Sequence, residues 1–468
     1  MMNRWILSLA AKLGLFGLSL GLGVVSYLVA HDLRQGDGST QPATRVFTPV
    51  TAFQSEVVVD AEPQLLAKIE SPVDAVGDAL GVYYLLEADG DLVRVAPTTS
   101  GGTEATRYAS LADGRTEETI GFSNLALHPN FLIKSEPGYG CFYVIAAERE
   151  GTARVDFSPE FGGETEHHQD VLYEYQVEDP LLSEFRGTRR ELMRLSQPGS
   201  VHNVRGLTFD PTGQLYIGVG DGAVAEVGKF SPSRNASSLM NVYGKVLRID
   251  PLGRNSANGQ YGIPDGNPFC LVSEALPELW VFGLRAPQSL SYDSFQRGLC
   301  IAESAGSGRD EVNLSLYGGE HYGWDIGENI DRLGRAARAR IEEVVTGPTV
   351  SLDRLANSVA RTSGSVIYRG EQFPSLAGNL LIASHDGQLL AMRPGDVASG
   401  SPRLAKVGLP RFGKQHFTAL RQGPRGEVIL LCESGEVFEM RKSASLGTGN
   451  SKQKALFCEV GGAPEPRG

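Results

Sequence analysis

Histidine side chains are the first candidates for chemistry in this chain of 468 residues, because imidazole both carries protons near neutral pH and binds metal ions. His202 stands beside Asn203 in the stretch Val201–Ala223, which reads VHNVRGLTFDPTGQLYIGVGDGA. The rest of this stretch predicts a β-hairpin, because apolar residues alternate on both sides of a turn at Asp210–Gly213. His202 is therefore expected on a loop that leads into a strand.

The other histidines give weaker signals. His128 precedes a proline in a turn, so we interpret it as a packed or capping residue. His167 and His168 lie beside Glu164 and Glu166. A metal site there is the weaker interpretation, because adjacent residues rarely reach one ion without a third ligand.

The acidic balance of the chain argues against nucleic-acid partners. There are 43 Lys and Arg residues against 55 Asp and Glu, a formal net charge of −12, which repels a phosphate backbone. A hydrophobic content of 41% is enough for a large core, and 57 Gly with 25 Pro residues indicates many tight turns. This combination favours an all-β fold.

The five cysteines show no metal-ligand spacing. We interpret most of them as small buried apolar residues, with one disulfide left open. They are Cys141, Cys270, Cys300, Cys432 and Cys458.

An apolar run at the N-terminus, Leu13–Ala30, predicts a signal anchor or a cleaved signal peptide within residues 1–30. Its 18 residues just cross a bilayer core of about 30 Å at about 1.5 Å per residue. Arg4 and Lys12 precede the run, which predicts that the following chain lies outside the cytoplasm, in the periplasm or at the cell surface. We favour a single transmembrane anchor, because the exit Leu28-Val29-Ala30 is only a fair cleavage match.

A repeated unit occupies residues 53–442, between a polar linker at 31–52 and a polar, disordered tail at 443–468. Each unit is an apolar strand, a short turn with Gly, Pro or Asp, and a second apolar strand. Six copies predict a six-bladed β-propeller with antiparallel four-stranded blades. The copies are Val73–Val95, Asn124–Ala147, Gly206–Gly222, Ser289–Ser304, Ser365–Met392 and Thr418–Met440.

Two long stretches between copies, Arg149–Gln197 and Arg309–Arg361, predict loops that leave the blades, where binding residues tend to lie. Within the second stretch, Arg332–Val345 carries four arginines and predicts a short helix. We interpret this segment as a solvated helix rather than a ligand site.

Six motifs follow one another in a fixed order and together resemble the glucose/sorbosone dehydrogenase family, the soluble quinoprotein sugar dehydrogenases. The resemblance extends from about Leu65 to Met440 and implies a six-bladed propeller. It also implies that a sugar or polyol hydroxyl is oxidised, with hydride passing to PQQ over a calcium ion at the channel mouth; the electron acceptor is unknown. The motifs are VHNVRGLTFDPTGQLYIGVGDG, GKVLRID, IPDGNPF, ELWVFGLRAPQSLSYD, DEVNL and GGEHYGW.

The resemblance also implies roles for particular residues. His202 matches the base that takes the hydroxyl proton, a common task for imidazole. Arg285 matches the fixed cation that stabilises negative charge on the reduced quinone. The implied cofactor contacts are Asn203, Arg285 and Ser304, and the implied calcium ligands are the backbone carbonyls of Ala305 and Gly306.

Four further polar residues near these motifs have structural interpretations. Asp310 and Glu311 fit an acidic turn before a strand as well as they fit a site. Asp221 lies between two glycines, which favours a turn role over a catalytic one. His321, in GGEHYGW, is expected to face either the channel or solvent.

The chain departs from the family pattern where the cofactor is held. Ala286 replaces an expected asparagine, and Ser304–Gly306 replaces an expected Gln-Gly-Pro loop. Ser384–Gly387 stands at an expected lysine, and His416 and Thr418 at two expected arginines. PQQ is a tricarboxylate, so each missing cation removes a charge-assisted hydrogen bond of about 1.5–3 kcal/mol.

Three functions are consistent with the sequence. The first is an exported sugar or polyol dehydrogenase that uses PQQ and calcium. The second is a non-catalytic extracytoplasmic propeller that binds a protein or a glycan, which the missing cations favour. The third is a calcium-dependent hydrolase with ligands drawn from Asn203, Asn241 and Asp221, which are few for that purpose.

Overall fold

The computed structural model describes residues 55–59, 61–114, 117–161, 166–223, 234–306, 309–324, 345–353, 361–394, 404–409, 412 and 414–442. The predicted N-terminal segment at 1–30, the linker at 31–52 and the tail at 443–468 lie outside these ranges. So does the predicted helix at 332–345, apart from its last residue. Within the described ranges, no helix is long and apolar enough to cross a membrane.

The described chain forms six sheets, which confirms the predicted all-β, six-bladed propeller. Blade 1 contains β3 (Pro72–Gly77), β4 (Tyr83–Glu87), β5 (Asp91–Pro97) and β6 (Thr103–Ser110). Blade 2 contains β7 (Thr119–Leu127), β8 (Cys141–Arg149), β9 (His168–Val177) and β10 (Gly187–Gln197). Blade 3 contains β11 (Val204–Phe209), β12 (Leu215–Val219), β13 (Lys245–Ile249) and β14 (Leu279–Phe282).

The remaining blades complete the ring. Blade 4 contains β15 (Pro287–Asp293), β16 (Gly298–Gly306), β17 (Arg309–Ser315) and β18 (Val350–Asp353). Blade 5 contains β19 (Thr362–Ile367), β20 (Leu380–Ser384), β21 (Leu389–Met392) and β22 (Leu404–Gly408), with one 3₁₀ turn at Pro374–Leu376. Blade 6 contains β23 (Phe417–Gln422), β24 (Val428–Cys432) and β25 (Glu436–Lys442).

Two N-terminal strands join the last two blades. β2 (Ala61–Lys68) pairs antiparallel with β25, so blade 6 takes its fourth strand from the other end of the domain and closes the ring. β1 (Ser55–Val58) pairs in parallel with β22. Blade 5 is therefore a five-stranded sheet with one parallel pair, and differs from the predicted four antiparallel strands.

The two stretches predicted as loops contain outer strands instead. Arg149–Gln197 includes β9 and β10, and Arg309–Arg361 includes β17 and β18. The loop prediction was wrong because β9 and β18 follow the strands they pair with only after long connections, residues 150–167 and 316–349. The side chains of β9 are buried at nine of ten positions, since both faces of the blade are covered by other blades.

Apolar packing between neighbouring blades forms the core. The second strands of blades 1, 3, 5 and 6 are buried along their whole length: Tyr83–Glu87, Leu215–Val219, Leu380–Ser384 and Val428–Cys432. Continuous apolar runs are typical of strands covered on both faces. The four described cysteines are free thiols, and Cys141, Cys300 and Cys432 are buried, as the sequence indicated.

The innermost strands β3, β7, β11, β15, β19 and β23 contact one another in sequence around the central channel. Each has a register shift near its start, as between Val204 and Leu207 or between Phe417 and Ala419. Because each second strand runs antiparallel to its inner strand, inner strands begin where second strands end. We call this end of the channel the mouth face, and the candidate site lies there.

Candidate functional site

His202 has an unusual backbone at the mouth face, immediately before β11. Its φ is +58°, and only one other non-glycine described residue, Arg297, has a positive φ. The backbone NH of Gly220 donates to the Asn203 carbonyl at 3.2 Å. A Cβ on Gly220 would lie 2.0 Å from the carbonyl oxygen of His202, so glycine is required for this close approach.

Asp221 orients the His202 ring. The His202 Nδ1 lies 2.6 Å from Oδ1 of Asp221, whose side chain is buried. The second oxygen, Oδ2, accepts a hydrogen bond from the Trp324 indole nitrogen at 2.8 Å. A carboxylate only accepts, so the ring donates through Nδ1 and its Nε2 is the nitrogen able to take up a proton.

Asp221 also has the turn role that the sequence predicted. Its Oδ1 accepts from the backbone NH of Ala223 at 3.1 Å, within the Gly-Asp-Gly turn. The Gly-Asp-Gly pattern predicts this turn role alone, and the pairing with His202 was not predicted. A usable signal was present, because β11 and β12 form one hairpin and the chain before β11 lies beside the chain after β12.

Arg285 lies next to this pair. Its carbonyl oxygen accepts from the Asp221 NH at 2.8 Å, and its guanidinium carbon lies 5.1 Å from the centre of the Trp324 ring. The guanidinium donates to the carbonyl oxygen of Ser304 at 3.0 Å. The structure therefore brings together three predicted residues, His202, Arg285 and Ser304, and links them through Asp221 and Trp324.

A carboxyl pair lies behind Arg285, in which Glu303 is buried and Glu311 is half-buried. Glu303 accepts from the Arg285 backbone NH at 2.8 Å and from the Asn313 side chain at 2.8 Å. Glu303 and Glu311 are directly opposite each other on β16 and β17. Burial raises the pKa of both carboxyls, and the charge of Glu303 raises that of Glu311 further. Glu311 thus lies within a strand, opposite the buried Glu303, rather than in an acidic turn.

The segment predicted to bind calcium is the end of a strand rather than an irregular loop. Ser304 pairs with Asp310 and Gly306 pairs with Arg309, and the register shifts between these pairs, at Ala305. The carbonyl oxygen of Ser304 already accepts a hydrogen bond from the Arg285 guanidinium. Ala305 lies on the bulge, where a residue is left out of the ladder pairing, so its carbonyl fits a calcium ligand better than that of Ser304 does.

Asn203 holds its own loop together. With its amide nitrogen facing inward, it donates to the carbonyls of Gly199 and Val201 at 3.0 Å each. Asn241 accepts from the Tyr243 NH at 2.9 Å. Asp221 is hydrogen-bonded to His202 and Trp324. All three residues considered as calcium ligands of a hydrolase, Asn203, Asn241 and Asp221, therefore make other hydrogen bonds.

Two arginines lie at the mouth face and are exposed to solvent, Arg205 at the start of β11 and Arg361 just before β19. Crowding by protein atoms lowers the pKa of Arg205, and the Arg361 charge lowers it further. Among the described residues, neither guanidinium has a hydrogen-bond partner. By contrast, Arg421 is paired with Asp74 at 2.6 Å. The Arg205 side chain is exposed to solvent and yet closely surrounded by protein atoms. This combination indicates that it lines a water-filled channel.

The remaining histidines are mostly structural. His321 is buried and stacked on Phe282, with 4.3 Å between ring centres, so the expectation that it faces channel or solvent was wrong. Burial lowers the pKa of His321 to about 3, with a smaller effect from Lys245. His128 is buried against Phe209, as predicted. His167 and His168 contact each other through Nδ1 atoms 3.0 Å apart.

The described chain is thus a six-bladed propeller with an imidazole–carboxylate pair and an arginine at the mouth of its channel. The family model described as Glucose / Sorbosone dehydrogenase matches residues 81–438. The chain therefore belongs to the glucose/sorbosone dehydrogenase family, as its motifs indicated.

Curated relatives include one protein named as a dehydrogenase and one named for its interaction with another protein. Aldose sugar dehydrogenase YliI of Escherichia coli is 28% identical over 264 residues, 55% of this chain and 64% of that protein. Hedgehog-interacting protein of Mus musculus is 23% identical over 389 residues, 79% of this chain and 50% of that protein. The chain thus matches about half to two thirds of the length of these relatives.

Solved structures show the same fold. The apo form of soluble aldose sugar dehydrogenase from Escherichia coli has a TM-score of 0.58 at 18% identity, covering 81% of this chain and 99% of that one. The PQQ-bound aldose sugar dehydrogenase from Streptomyces coelicolor has a TM-score of 0.54 at 17% identity, covering 82% and 98%.

Proposed function

We propose that this protein oxidises a hydroxyl group of a sugar or polyol, with His202 as the general base. The observation that carries this proposal is the hydrogen bond of 2.6 Å between His202 and the buried Asp221, which Trp324 holds from the other side. A carboxylate that fixes the tautomer and orientation of an imidazole is a recurring arrangement of general bases.

Each residue of the site has a defined task in this reaction. The Nε2 of His202 takes the hydroxyl proton while the hydrogen on the same carbon departs as hydride. Asp221 stabilises the imidazolium that forms. Arg285 keeps its positive charge at any working pH and stabilises negative charge that develops nearby. Its stacking on Trp324 holds that charge in place.

PQQ, when bound, supplies the hydride-accepting quinone. Arg285 and Trp324 fit the quinone end of the cofactor. For its carboxylates, the expected cation positions hold Ser384–Gly387, His416 and Thr418, but the mouth face offers other cations. Arg205 and Arg361 are exposed there, and an anion between them would relieve their mutual repulsion. We propose these two arginines as the carboxylate contacts, and the Ala305 and Gly306 carbonyls as calcium ligands.

The test titrates the full chain with PQQ, in calcium and then in EDTA, and follows quinone absorbance and sugar-dependent dye reduction with aldoses and polyols. His202→Ala should bind PQQ normally and lose about 10²–10⁴-fold in kcat. Arg205→Ala should weaken PQQ binding about 10-fold or more, because a charge-assisted bond is lost. His167→Ala, an exposed histidine on another blade, should change neither. Full activity of His202→Ala would contradict the proposal.

A second candidate is a non-catalytic propeller that binds a protein or a glycan. It is favoured by Asp386, His416 and Thr418 at positions where the family places cations. A relative named for its interaction with Hedgehog supports this alternative. If PQQ fails to bind in calcium at high concentration, this becomes the better function.

We also propose that the protein works outside the cytoplasm, held by a helix at Leu13–Ala30, on the basis of that apolar run and the preceding Arg4 and Lys12. Cell fractionation of the full chain and of a chain lacking residues 1–30 tests this. The full chain should sediment with membranes and resist salt extraction, whereas the shortened chain should not.

A further inference from the structure

Three side chains with metal-binding chemistry meet on the mouth face, at the junction of blades 5 and 6. His385 directly follows β20, His416 directly precedes β23 and Glu433 directly follows β24. The strand register explains this meeting. Phe417 pairs with Cys432, which places the residues beside them, His416 and Glu433, at one edge of the hairpin.

The geometry of the cluster is suited to a metal ion. One potential ligand atom from each of His385, His416 and Glu433 lies within 4.8 Å of the other two. The Nε2 of His385 is 3.8 Å from Oε2 of Glu433. The two imidazole rings are 5.4 Å apart between centres and inclined at 43°, so they converge rather than stack.

Both imidazoles are oriented by backbone carbonyls. The Nδ1 of His416 lies 3.1 Å from the carbonyl oxygen of His385, and the Nδ1 of His385 lies 3.4 Å from that of Phe417. A carbonyl oxygen only accepts, so both Nδ1 atoms carry the proton and both Nε2 atoms carry a lone pair. Metal-binding histidines are held in this way by outer hydrogen bonds.

The backbone of the cluster is also fixed. The Glu433 NH donates to the His416 carbonyl at 2.9 Å, and the His385 NH donates to the Arg361 carbonyl at 2.8 Å. Only the side chains need to move to reach a common ion. In a tetrahedral zinc site the ligand atoms are about 3.4 Å apart, which small rotations of these side chains achieve because His416 and Glu433 are exposed.

We propose that His385, His416 and Glu433 bind one divalent transition metal of the zinc class. Two imidazoles and one carboxylate suit such metals, whereas calcium and magnesium prefer oxygen ligands throughout. Three protein ligands leave a coordination position for water or for an oxygen of a ligand in the channel mouth, which is the pattern of open rather than structural zinc sites. The proposal does not depend on the oxidation proposed above.

The test measures metal binding directly. The full chain, stripped with chelator, is titrated with Zn²⁺ by calorimetry, and Co²⁺ is added to a second sample to record its visible absorption. We expect one ion per chain and a cobalt spectrum typical of four-coordinate nitrogen and oxygen ligation. His385→Ala, His416→Ala and Glu433→Gln should each weaken zinc binding at least about 100-fold, more than the loss of a group that only orients a ligand.

Two matched variants serve as controls. Glu436→Gln changes a partly exposed carboxylate three residues after Glu433, and this carboxylate pairs with Lys68. His167→Ala changes an exposed histidine on blade 2. Both should bind zinc as the wild type does. Thermal unfolding in EDTA should be the same for all five variants, whereas zinc should raise the unfolding temperature only where the site is intact. One-to-one binding that survives both histidine substitutions, or no binding, would overturn the proposal.

Discussion

Asp221 is the residue on which the candidate site depends most. It closes a turn through Ala223, orients His202 and receives the indole NH of Trp324, all with one buried carboxylate. The backbone NH of Asp221 donates to the carbonyl oxygen of Arg285. Asp221 therefore positions both the base, His202, and the cation, Arg285. A single substitution here should therefore affect chemistry without removing either functional side chain.

Asp221→Asn should lower kcat for sugar oxidation by about 10²–10⁴-fold and change KM little. An asparagine that turns its amide nitrogen toward His202 would favour the wrong imidazole tautomer. Sugar-dependent dye reduction measures the effect. Asp210→Asn, in the turn at the opposite end of the same hairpin, should retain kcat. Equal activity of Asp221→Asn and wild type would show that His202 is not a base held by Asp221.

Glu303 should make stability depend on pH. Burial raises the pKa of its carboxyl to about 7, above an unfolded value of about 4.3. The folded state therefore holds a proton that the unfolded state has lost, so stability is greatest at low pH and falls as pH rises through about 7.

The variant Glu303→Gln tests whether stability falls with rising pH, as expected. The amide mimics the protonated carboxyl, so the variant should resemble wild type at pH 5 and be more stable by about 2 kcal/mol at pH 8. Urea unfolding at the two pH values gives the difference. A variant that is less stable than wild type at pH 8 would mean that Glu303 is ionised in the fold.

Elements were predictable from the sequence where pairing is local. The strands β11 and β12 follow each other through a short turn, and their alternating apolar residues identified the hairpin. The strands β9 and β18 were missed, because each follows its partner strand only after a long connection, residues 150–167 and 316–349. β1 was missed for a related reason, since its partner β22 lies at the other end of the domain.

Gly220 sets the spacing between the hairpin and the loop that carries His202. Gly220→Ala would place a methyl group 2.0 Å from a carbonyl oxygen, so the His202 backbone must move. We expect a loss of about 1–3 kcal/mol of stability together with reduced kcat. Gly102→Ala, whose new methyl group meets nothing closer than 3.6 Å, is the matched control. Thermal unfolding of both variants measures the loss of stability, and sugar-dependent dye reduction measures the change in kcat.

Lys245 anchors the segment that runs from Asn235 to Tyr243. This fully buried lysine donates to the carbonyls of Asn235, Ala236 and Tyr243 at 2.8, 3.3 and 2.5 Å. Lys245→Met leaves several buried carbonyls without this donor and should cost about 3 kcal/mol or more. Lys68→Met removes an exposed lysine with one ion pair and should cost under about 1 kcal/mol. Urea unfolding compares the two.

At the scale of the whole molecule, blades 3 and 6 present the same kind of edge at the mouth face. His202 and His416 both precede an inner strand, and Asp221 and Glu433 both follow a second strand. A family motif in the sequence identified His202, whereas His385 and His416 were interpreted only as replacements for expected cations. Their meeting with Glu433 depends on two blades packing side by side, which no local pattern in the sequence reports.

Closure of the ring should determine the stability of the whole domain. Blade 6 obtains its fourth strand from β2, which pairs with β25 along its length from Ala61–Lys442 to Lys68–Glu436. A chain that begins at residue 61 keeps this strand and loses only β1, the fifth strand of blade 5. A chain that begins at residue 70 loses β2 and exposes the edge of β25.

We therefore expect the chain from residue 61 to unfold cooperatively, close to the temperature of the full chain. The chain from residue 70 should unfold well below it, because one strand of the ring is missing and the apolar faces of blades 6 and 1 separate more easily. It should also associate through its open edge. Thermal unfolding and gel filtration of both chains measure these effects. Equal unfolding temperatures would show that blade contacts hold the ring without its closing strand.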